Sequence, residues 1–362
     1  MKRILIILIA FILILATACE KATDYFEEIE FIESPTNSIS EADVDEIKLV
    51  AELNLTVIEE WSSKNKIGKA ILLGEDGYYY NVVKGGDASP EFDFCFDNGN
   101  GQPKPLPMYI DIFRGDVLYG GDHSTLCKYE KGHKKSLNVN AFFRYYTEEY
   151  IYFTYYDWKE AKVENAIYRM NYNGKNITPL VKIGEEDNFD YFVVYNNKIW
   201  YRYYHEREFL FACYDLSSEE TLQFDRGGIG LINNGYMYCI EYDNEEQRNR
   251  LYRFNLETYS VELVCNANVQ NFDFCGDYII YMAEDENNCS IDTLYKMNLT
   301  ENKKILSADQ LGHSDKIFGF DCEGNRIFVD GGIYFYNYIA EIDIGGNLVK
   351  TIHENEFYYR DE

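Results

Sequence analysis

Short segments in which apolar and polar residues alternate follow one another along most of this chain, and they recur as a phrase. The stretch AIYRMNYNGKNITPLV at 166–181 returns as RLYRFNLETYSVELV at 250–264 and as TLYKMNLTENKKIL at 293–306. Alternation with a period of two predicts half-buried β-strands. A phrase that recurs at a regular distance predicts a repeat architecture. The repeated region offers no convincing helical period, so we expect an all-β fold.

The repeat is anchored on a strand position that recurs after about 40 residues. Equivalent positions are Phe94, Cys127, Tyr168, Ala212, Tyr252, Tyr295 and Ala340. Three residues later the chain has Asp97, Glu130, Asn171, Asp215, Asn255, Asn298 and Asp343. Asn and Asp side chains bond to the backbone two residues further on and start tight turns. Each phrase is therefore predicted to end one strand and to begin a hairpin.

A second phrase precedes each anchor and consists of a turn followed by a strand that ends in an aromatic residue. The aromatic residues are Tyr80, Tyr119, Phe153, Tyr201, Tyr238, Tyr281 and Phe328. Turn pairs such as Asn-Gly between apolar residues are strong hairpin signals. Four strands in each repeat predict a β-propeller of four-stranded blades over residues 48–355. Seven blades fit the repeats best, and six or eight stay open.

The amino-terminal sequence MKRILIILIAFILILATAC indicates that the protein is exported from the cytoplasm. Its apolar run from Ile4 to Leu15 is short for a membrane span, which needs about 20 residues. Residues 1–18 therefore read as a lipoprotein signal peptide. Cys19 would carry the lipid and anchor the chain to the extracellular face of the membrane. Residues 19–47 are acidic and lack apolar periodicity, which predicts a flexible tether.

Charge and cysteine content narrow the partners and the chemistry. The chain has 62 acidic and 34 basic residues, a formal net charge of −28. Such a surface repels phosphate backbones, so we expect no nucleic-acid partner, and cations are attracted instead. Most cysteines lie in apolar or aromatic runs and are expected to be buried thiols; any disulfide pairing stays open. The eight cysteines that follow Cys19 are Cys95, Cys127, Cys213, Cys239, Cys265, Cys275, Cys289 and Cys322.

The segment IYFTYYD at 151–157 and the phrase IYRMNYNGKNITPLV at 167–181 resemble the YWTD-type propellers of low-density-lipoprotein receptors. They are also similar to the related bacterial domains of unknown function in secreted and lipid-anchored proteins of clostridia and their relatives. The resemblance spans roughly residues 65–350. It implies an extracellular, non-enzymatic recognition scaffold, and no functional residue transfers with it.

Loops between the second and third strands are the predicted binding surface, because the tight turns all fall on the opposite face and variable loops carry function. Three of these loops place aromatic side chains near carboxylates and the fourth contributes carboxylates, a combination that suits cationic groups, sugars or basic peptides. The candidate ligand-binding residues are Tyr155, Tyr156, Asp157, Trp158, Tyr203, Tyr204, His205, Glu241, Tyr242, Asp243, Glu284 and Asp285. An ordinary solvated rim is the alternative interpretation of this acidic surface.

No catalytic motif or metal-ligand spacing emerges from the sequence. The five histidines are scattered, and we expect no cofactor. Calcium is the one metal left open, since DNGNGQ at 97–102 and NYNGKN at 171–176 contain oxygen ligands without the acid spacing of an EF-hand. We therefore expect a monomeric, non-enzymatic binding or scaffold module for a protein, peptide or glycan. An extracellular carbohydrate-active hydrolase or lyase is the alternative.

Overall fold

A computed structural model describes residues 30–32, residue 65 and residues 71–356, with gaps at 75, 85–90, 101, 245, 286–287, 299–300, 312–315 and 334–335. The regular secondary structure of the described residues is almost entirely β-strand, and each strand in a blade pairs antiparallel with the next one along the chain. The predicted β-propeller is confirmed, and its strands make seven four-stranded blades across these ranges.

The first three blades occupy residues 71–182. Blade 1 contains β2 Ile71–Gly74, β3 Gly77–Lys84, β4 Glu91–Asp97 and β5 Lys104–Pro105. Blade 2 contains β6 Tyr109–Arg114, β7 Val117–Asp122, β8 Thr125–Glu130 and the first part of β9 His133–Tyr146. Blade 3 contains the rest of β9, then β10 Tyr150–Tyr155, β11 Ala166–Asn171 and β12 Thr178–Lys182.

The last four blades occupy residues 188–356. Blade 4 contains β13 Asn188–Tyr195, β14 Lys198–His205, β15 Glu208–Asp215 and β16 Thr221–Phe224. Blade 5 contains β17 Leu231–Asn233, β18 Tyr236–Asp243, β19 Arg248–Asn255 and β20 Val261–Cys265. Blade 6 contains β21 Val269–Cys275, β22 Tyr278–Asp285, β23 Asn288–Met297 and β24 Asn302–Ser307. Blade 7 contains β25 Lys316–Glu323, β26 Arg326–Ile333, β27 Tyr336–Ile342 and β28 Leu348–Glu356.

Strand β9 belongs to two blades and joins them into one seven-stranded sheet. Its residues up to Asn140 pair with β8 as the outer strand of blade 2, whereas Ala141 to Tyr146 pair with β10 as the inner strand of blade 3. The sequence HKKSLNVNAFFRYY has no glycine or proline to end the strand. The connection from one blade to the next is therefore made without a loop.

The turn signals in the sequence form the turns that they predict. Asn196 and Asn197 both have positive φ, as do Asn234 and Gly235, which is the backbone of type I′ hairpin turns. After five of the seven third strands in the described ranges, though not at Glu130 or Asn171, the anchor side chain accepts backbone N–H groups, as Asp215 does from Ser217 and Ser218. The same arrangement recurs at Asp97, Asn255, Asn298 and Asp343.

The recurring aromatic residues fill the spaces between blades. All seven predicted positions, Tyr80, Tyr119, Phe153, Tyr201, Tyr238, Tyr281 and Phe328, are buried on the second strand of their blades. The largest cluster packs Trp200 of blade 4 against Phe211 and Phe224 of the same blade and Phe254 of blade 5. Burying such large rings against a neighbouring sheet is the main stabilising contribution available to a blade.

The ring closes where blade 7 packs against blade 1. Ile71, Tyr80 and Cys95 of blade 1 form one buried cluster with the blade 7 residues Phe328, Ile339 and Ile352. The Ile71 N–H donates to Asp321 Oδ2 of β25 at 2.9 Å. Strand β28 is the outer strand of blade 7, so this blade is complete without a strand from elsewhere.

Aspartates on the inner strands make the same kind of link elsewhere in the ring. Asp273 Oδ2 accepts the Cys322 N–H of the next blade at 3.0 Å. Asp111 of blade 2 accepts Arg144 Nη1 at 2.9 Å and the Tyr146 hydroxyl at 2.6 Å, both from blade 3. These carboxylates therefore hold neighbouring inner strands in register.

Two described segments precede blade 1. Strand β1 Glu30–Ile32 pairs parallel with β16 at the outer edge of blade 4. The Asn65 side chain exchanges two hydrogen bonds with the backbone of Tyr146, and the backbone carbonyl of Asn65 accepts the Tyr191 hydroxyl. Asn65 therefore lies against the inner strands of blades 3 and 4. Residues 1–29, the remainder of the predicted tether and residues 48–64 of the predicted propeller range lie outside the described residues.

Helical structure is confined to short segments within the described ranges. They are α1 Trp158–Ala161, in the loop between the second and third strands of blade 3, and a 3₁₀ turn at Ala308–Leu311. Neither segment, nor any other described helix, is long and apolar enough to cross a membrane.

Seven cysteines fall in the described part of the chain, and all of them are buried thiols, as the sequence predicted. The side chain of Cys289 and all of Cys19 lie outside it. Burial raises the pKa of Cys213 to about 12 and places that of Cys239 well above its usual value. Cys213 and Cys239 are therefore protonated in the folded protein, and burial makes all seven thiols inaccessible.

Asp321→Ala tests the closure of the ring. The substitution leaves the buried Ile71 N–H without this acceptor, so we expect the free energy of unfolding in urea to fall by about 1–3 kcal/mol. Asp116→Ala, in the exposed turn after β6, is the control and should change it by less than about 0.5 kcal/mol. Equal effects of the two substitutions would show that the Asp321 link does not support closure.

Thiol reactivity and alkaline stability test the buried cysteines. Native protein should react with a disulfide reagent far more slowly than protein in denaturant. The unfolded chain releases thiol protons near pH 9, whereas in the folded chain burial raises the pKa of Cys127, Cys213, Cys239 and Cys265, which retain theirs. Stability should therefore decrease from about pH 9 upward, by up to about 1.4 kcal/mol per pH unit for each such group. Urea unfolding from pH 7 to 11 measures this, and a stability that is constant above pH 9 would contradict it.

Candidate functional site

The candidate residues lie at or after the ends of the second strands β10, β14, β18 and β22. We call this side of the propeller the loop face. The opposite side carries the hairpin turns after the first strands, and we call it the tight-turn face. A groove of about 360 Å³ opens on the loop face between blade 3 and the beginning of blade 4. We call it the blade 3–4 groove. It is lined by Phe142, Phe143, Thr154, Tyr155, Tyr156, Asp157, Trp158, Lys159, Asn165, Glu185, Glu186, Asn188 and Phe189.

One wall of the groove is aromatic and open to solvent. Phe142 is 54% exposed and Tyr156 is 63% exposed, although both side chains are large and apolar or amphipathic. Their rings meet edge to face with centroids 5.8 Å apart. The ring centroids of Phe142 and Phe143 are 4.3 Å apart. The backbone N–H of Tyr156 donates to Asn140 O of β9 at 2.9 Å. Tyr155 packs behind this wall against Phe153 and Tyr168, and burial raises its pKa.

Helix α1 forms the end of the groove, and Asp157 is its N-cap. Asp157 Oδ1 accepts the Glu160 N–H at 2.9 Å, so this carboxylate stabilises the first turn. The cap turns the chain so that Trp158 is half-buried in the groove. The Lys159 ammonium lies 5.0 Å from the centroid of the Trp158 ring. An aromatic face in this groove thus already carries a cation.

The opposite wall is the connection from blade 3 to blade 4. Glu185 and Glu186 are exposed at its centre. Asn165 fixes the connection by donating from Nδ2 to Gly184 O and to Asp187 O, both at 2.9 Å. Asp187 closes the turn by accepting the Gly184 N–H at 3.0 Å through Oδ2. These bonds hold two adjacent carboxylates on the rim of the groove.

The candidates on blade 4 support this wall. His205 Nδ1 lies 2.7 Å from Asp187 Oδ1 and ties the end of β14 to the connection. Tyr203 and Tyr204 stand opposite Phe189 and Asn188 in the β13–β14 ladder. Burial raises the pKa of Tyr203. The Tyr204 ring remains exposed beside Phe209, with centroids 5.2 Å apart, next to the groove.

The candidates on blades 5 and 6 do not line this groove. Burial raises the pKa of Glu241, which faces the buried Cys239. Asp243 accepts Arg250 Nη1 at 2.8 Å and the Glu246 N–H at 3.0 Å, so it holds its own loop. Tyr242 is exposed and donates to Gln247. Glu284 is exposed at the end of β22, and the side chain of Asp285 lies outside the described residues.

The sequence patterns did not identify five residues that line the groove: Phe142, Phe143, Phe189, Glu185 and Glu186. The aromatic residues read as ordinary strand positions, and only the unbroken run through β9 distinguishes Phe142. The two glutamates lie in a blade-to-blade connection, which has no period and no motif. Their position depends on Asn165 and Asp187, a contact that sequence spacing does not predict.

A larger cavity of about 630 Å³ opens on the tight-turn face among blades 1, 2, 6 and 7. Several carboxylates line it, including Asp111, Asp273 and Asp321. These three hold neighbouring inner strands together through the bonds described above. We favour the blade 3–4 groove as the candidate site because its aromatic side chains and its two adjacent glutamates, Glu185 and Glu186, are exposed. No group of three or more potential metal ligands converges within the described ranges.

Comparisons with known proteins support the fold. No protein-family model matches the chain, and no curated protein matches it either. The solved structure of a puromycin-hydrolyzing peptidase of Mycobacterium tuberculosis has a TM-score of 0.56 and 8% identity, covering 81% of this chain and 54% of the peptidase. A structure of prolyl endopeptidases has a TM-score of 0.55 and 10% identity, covering 80% of this chain and 50% of that chain.

This chain thus spans about half the length of these structures, and at such low identity the likeness shows the propeller fold alone. A structure of a nidogen/laminin complex has 10% identity and covers 66% of this chain and 92% of that chain. Its TM-score of 0.41 is too low to support a conclusion about the fold. The resemblance to YWTD-type propellers therefore rests on the sequence motifs.

Asn165→Ala tests the support of the glutamate wall. The substitution removes two hydrogen bonds to the connection, so we expect the free energy of unfolding to fall by about 1–3 kcal/mol. Cleavage by a glutamate-specific protease after Glu185 or Glu186 should become faster, because the connection opens more often. Asn98→Ala, in an exposed turn of blade 1, is the matched control. Unchanged cleavage in the Asn165 variant would contradict this role of the amide.

Proposed function

We propose that this chain is an extracellular, lipid-anchored β-propeller that binds a protein, peptide or glycan in the blade 3–4 groove without transforming it. One observation carries the proposal. Two large aromatic side chains, Phe142 and Tyr156, stand exposed in a groove whose walls are fixed by sheet pairing and side-chain hydrogen bonds. Two exposed rings in contact with each other, within a groove that also contains polar groups, are typical of a ligand-binding site.

Anchoring at the cell surface is proposed from the sequence before Cys19. The apolar run and the small residues that end in this cysteine support a lipoprotein signal. The acyl chain would hold the protein, and its acidic surface would keep the propeller from adhering to an anionic membrane. The loop face would then be available to ligands outside the cell.

An extracellular carbohydrate-active hydrolase or lyase is the second candidate. Glycoside hydrolysis typically uses two carboxylates that face each other across the bond to be cleaved. Two candidate carboxylates of the loop face already have structural roles: Asp157 caps α1 and Asp243 holds Arg250. The puromycin-hydrolyzing and prolyl peptidase activities belong to chains about twice as long as the matched region. Binding is therefore the better-supported function.

Single substitutions of the two exposed aromatic residues test whether the groove binds a ligand. Full-length protein in detergent is screened by thermal shift against neutral oligosaccharides and peptides of defined sequence, and any ligand found is then measured by calorimetry. Tyr156→Ala and Phe142→Ala should each weaken its binding about tenfold, the scale expected for loss of one aromatic contact. Tyr242→Ala removes a comparably exposed ring on blade 5 and should leave affinity unchanged.

The same ligands also test for turnover. Release of product from an oligosaccharide, lost on substitution of Glu185 or Glu186 by glutamine, would replace the binding proposal with the hydrolase. Equal weakening by all three aromatic substitutions would place the ligand elsewhere on the loop face.

A further inference from the structure

The blade 3–4 groove contains two carboxylates that no described residue neutralises. Neither the Glu185 nor the Glu186 side chain makes a hydrogen bond or ion pair within the described ranges, and both line the groove. Nearby acids are paired: Glu164 with Lys182 at 2.7 Å, and Asp190 with Arg202 at 2.6 Å. A pair of open carboxylates beside an aromatic wall favours a cation between them.

The loop face already shows this chemistry within the chain. Lys159 lies over the Trp158 ring at 5.0 Å, and the Arg202 guanidinium lies over the exposed Phe209 ring at 4.8 Å. Contacts of the same kind occur on the tight-turn face, such as Arg253 over the Tyr236 ring at 4.3 Å, so aromatic faces hold cations on both sides of this propeller. The rings of Phe142 and Tyr156 are the exposed aromatic surfaces in the groove beside Glu185 and Glu186.

We propose that the groove recognises the ammonium or guanidinium group of a basic peptide, an assignment that rests on the proposed binding function. The net charge of −28 attracts such peptides from a distance and disfavours anionic glycans. A volume of about 360 Å³ suits one or two side chains. Beside it, the exposed Tyr204 and Phe209 rings extend the surface for the neighbouring peptide residues.

The test compares tetralysine, acetylated at its amino terminus and amidated at its carboxyl terminus, with the same peptide acetylated on all four side chains. Calorimetry uses the full chain in detergent. Tetralysine should bind, and affinity should fall several-fold as salt rises from 50 to 500 mM. Tyr156→Ala should weaken binding about two- to thirtyfold, the range of a cation–π contact. The E185Q/E186Q double variant should weaken it about tenfold or more, and the acetyllysine peptide should bind far more weakly.

The matched control is the double variant E148Q/E149Q, which removes two adjacent exposed glutamates from the turn between β9 and β10 of the same blade, on the tight-turn face. Its affinity for tetralysine should equal that of the unmodified protein. Equal losses in both double variants would overturn the inference, because only the general charge of the protein would then act. Spermidine binding as tightly as tetralysine would overturn the peptide assignment in favour of a polyamine.

Failure of the inference is distinguishable from failure of the proposed function. Absence of tetralysine binding overturns the cation assignment. If chitotetraose or the acetyllysine peptide then binds in a manner that depends on Tyr156, the groove remains a binding site for a neutral ligand. If neither binds in that manner, both the inference and the groove proposal fail together.

Discussion

Closure of the ring is the constraint on which this structure depends. A four-stranded sheet with two apolar faces cannot bury both of them alone, so each blade needs a neighbour on either side. Blade 7 supplies the missing neighbour of blade 1 through a shared apolar cluster and the bond from the Ile71 amide to Asp321. Because the two terminal blades share no strand in the described ranges, side-chain packing and this carboxylate carry the closure.

The candidate site is a consequence of this arrangement. The connection between blades 3 and 4 spans a gap whose width is set by the packing of the two sheets, with Trp200 and Phe192 among the buried residues. Asn165 of blade 3 and His205 of blade 4 hold that connection from both sides. Binding groups are thus supported by both sheets, which limits the ordering that a ligand must impose.

The fold was largely predictable from the sequence because the ring repeats its local chemistry. Asn234 and Gly235 form the hairpin that their residue types require, and Tyr238 is buried where the phrase places it. The site was predictable only in part. Asp157 follows an aromatic residue as a binding carboxylate would, yet its position before α1 makes it a cap. Glu185 lies in a connection whose path depends on long-range hydrogen bonds, and no local pattern records such contacts.

Aromatic residues in this chain therefore serve two purposes, and their relation to the repeat separates them. Positions that recur in every blade, such as Tyr80 and Phe153, face an adjacent sheet and are buried because the ring presents the same environment each time. Phe142 and Tyr156 lie outside that series and are exposed, so blade packing does not explain their presence. A repeat protein must satisfy its packing at the repeated positions. Positions that depart from the repeat are consequently available to bind a ligand. The most exposed rings of blade 3, Phe142 and Tyr156, lie at such positions.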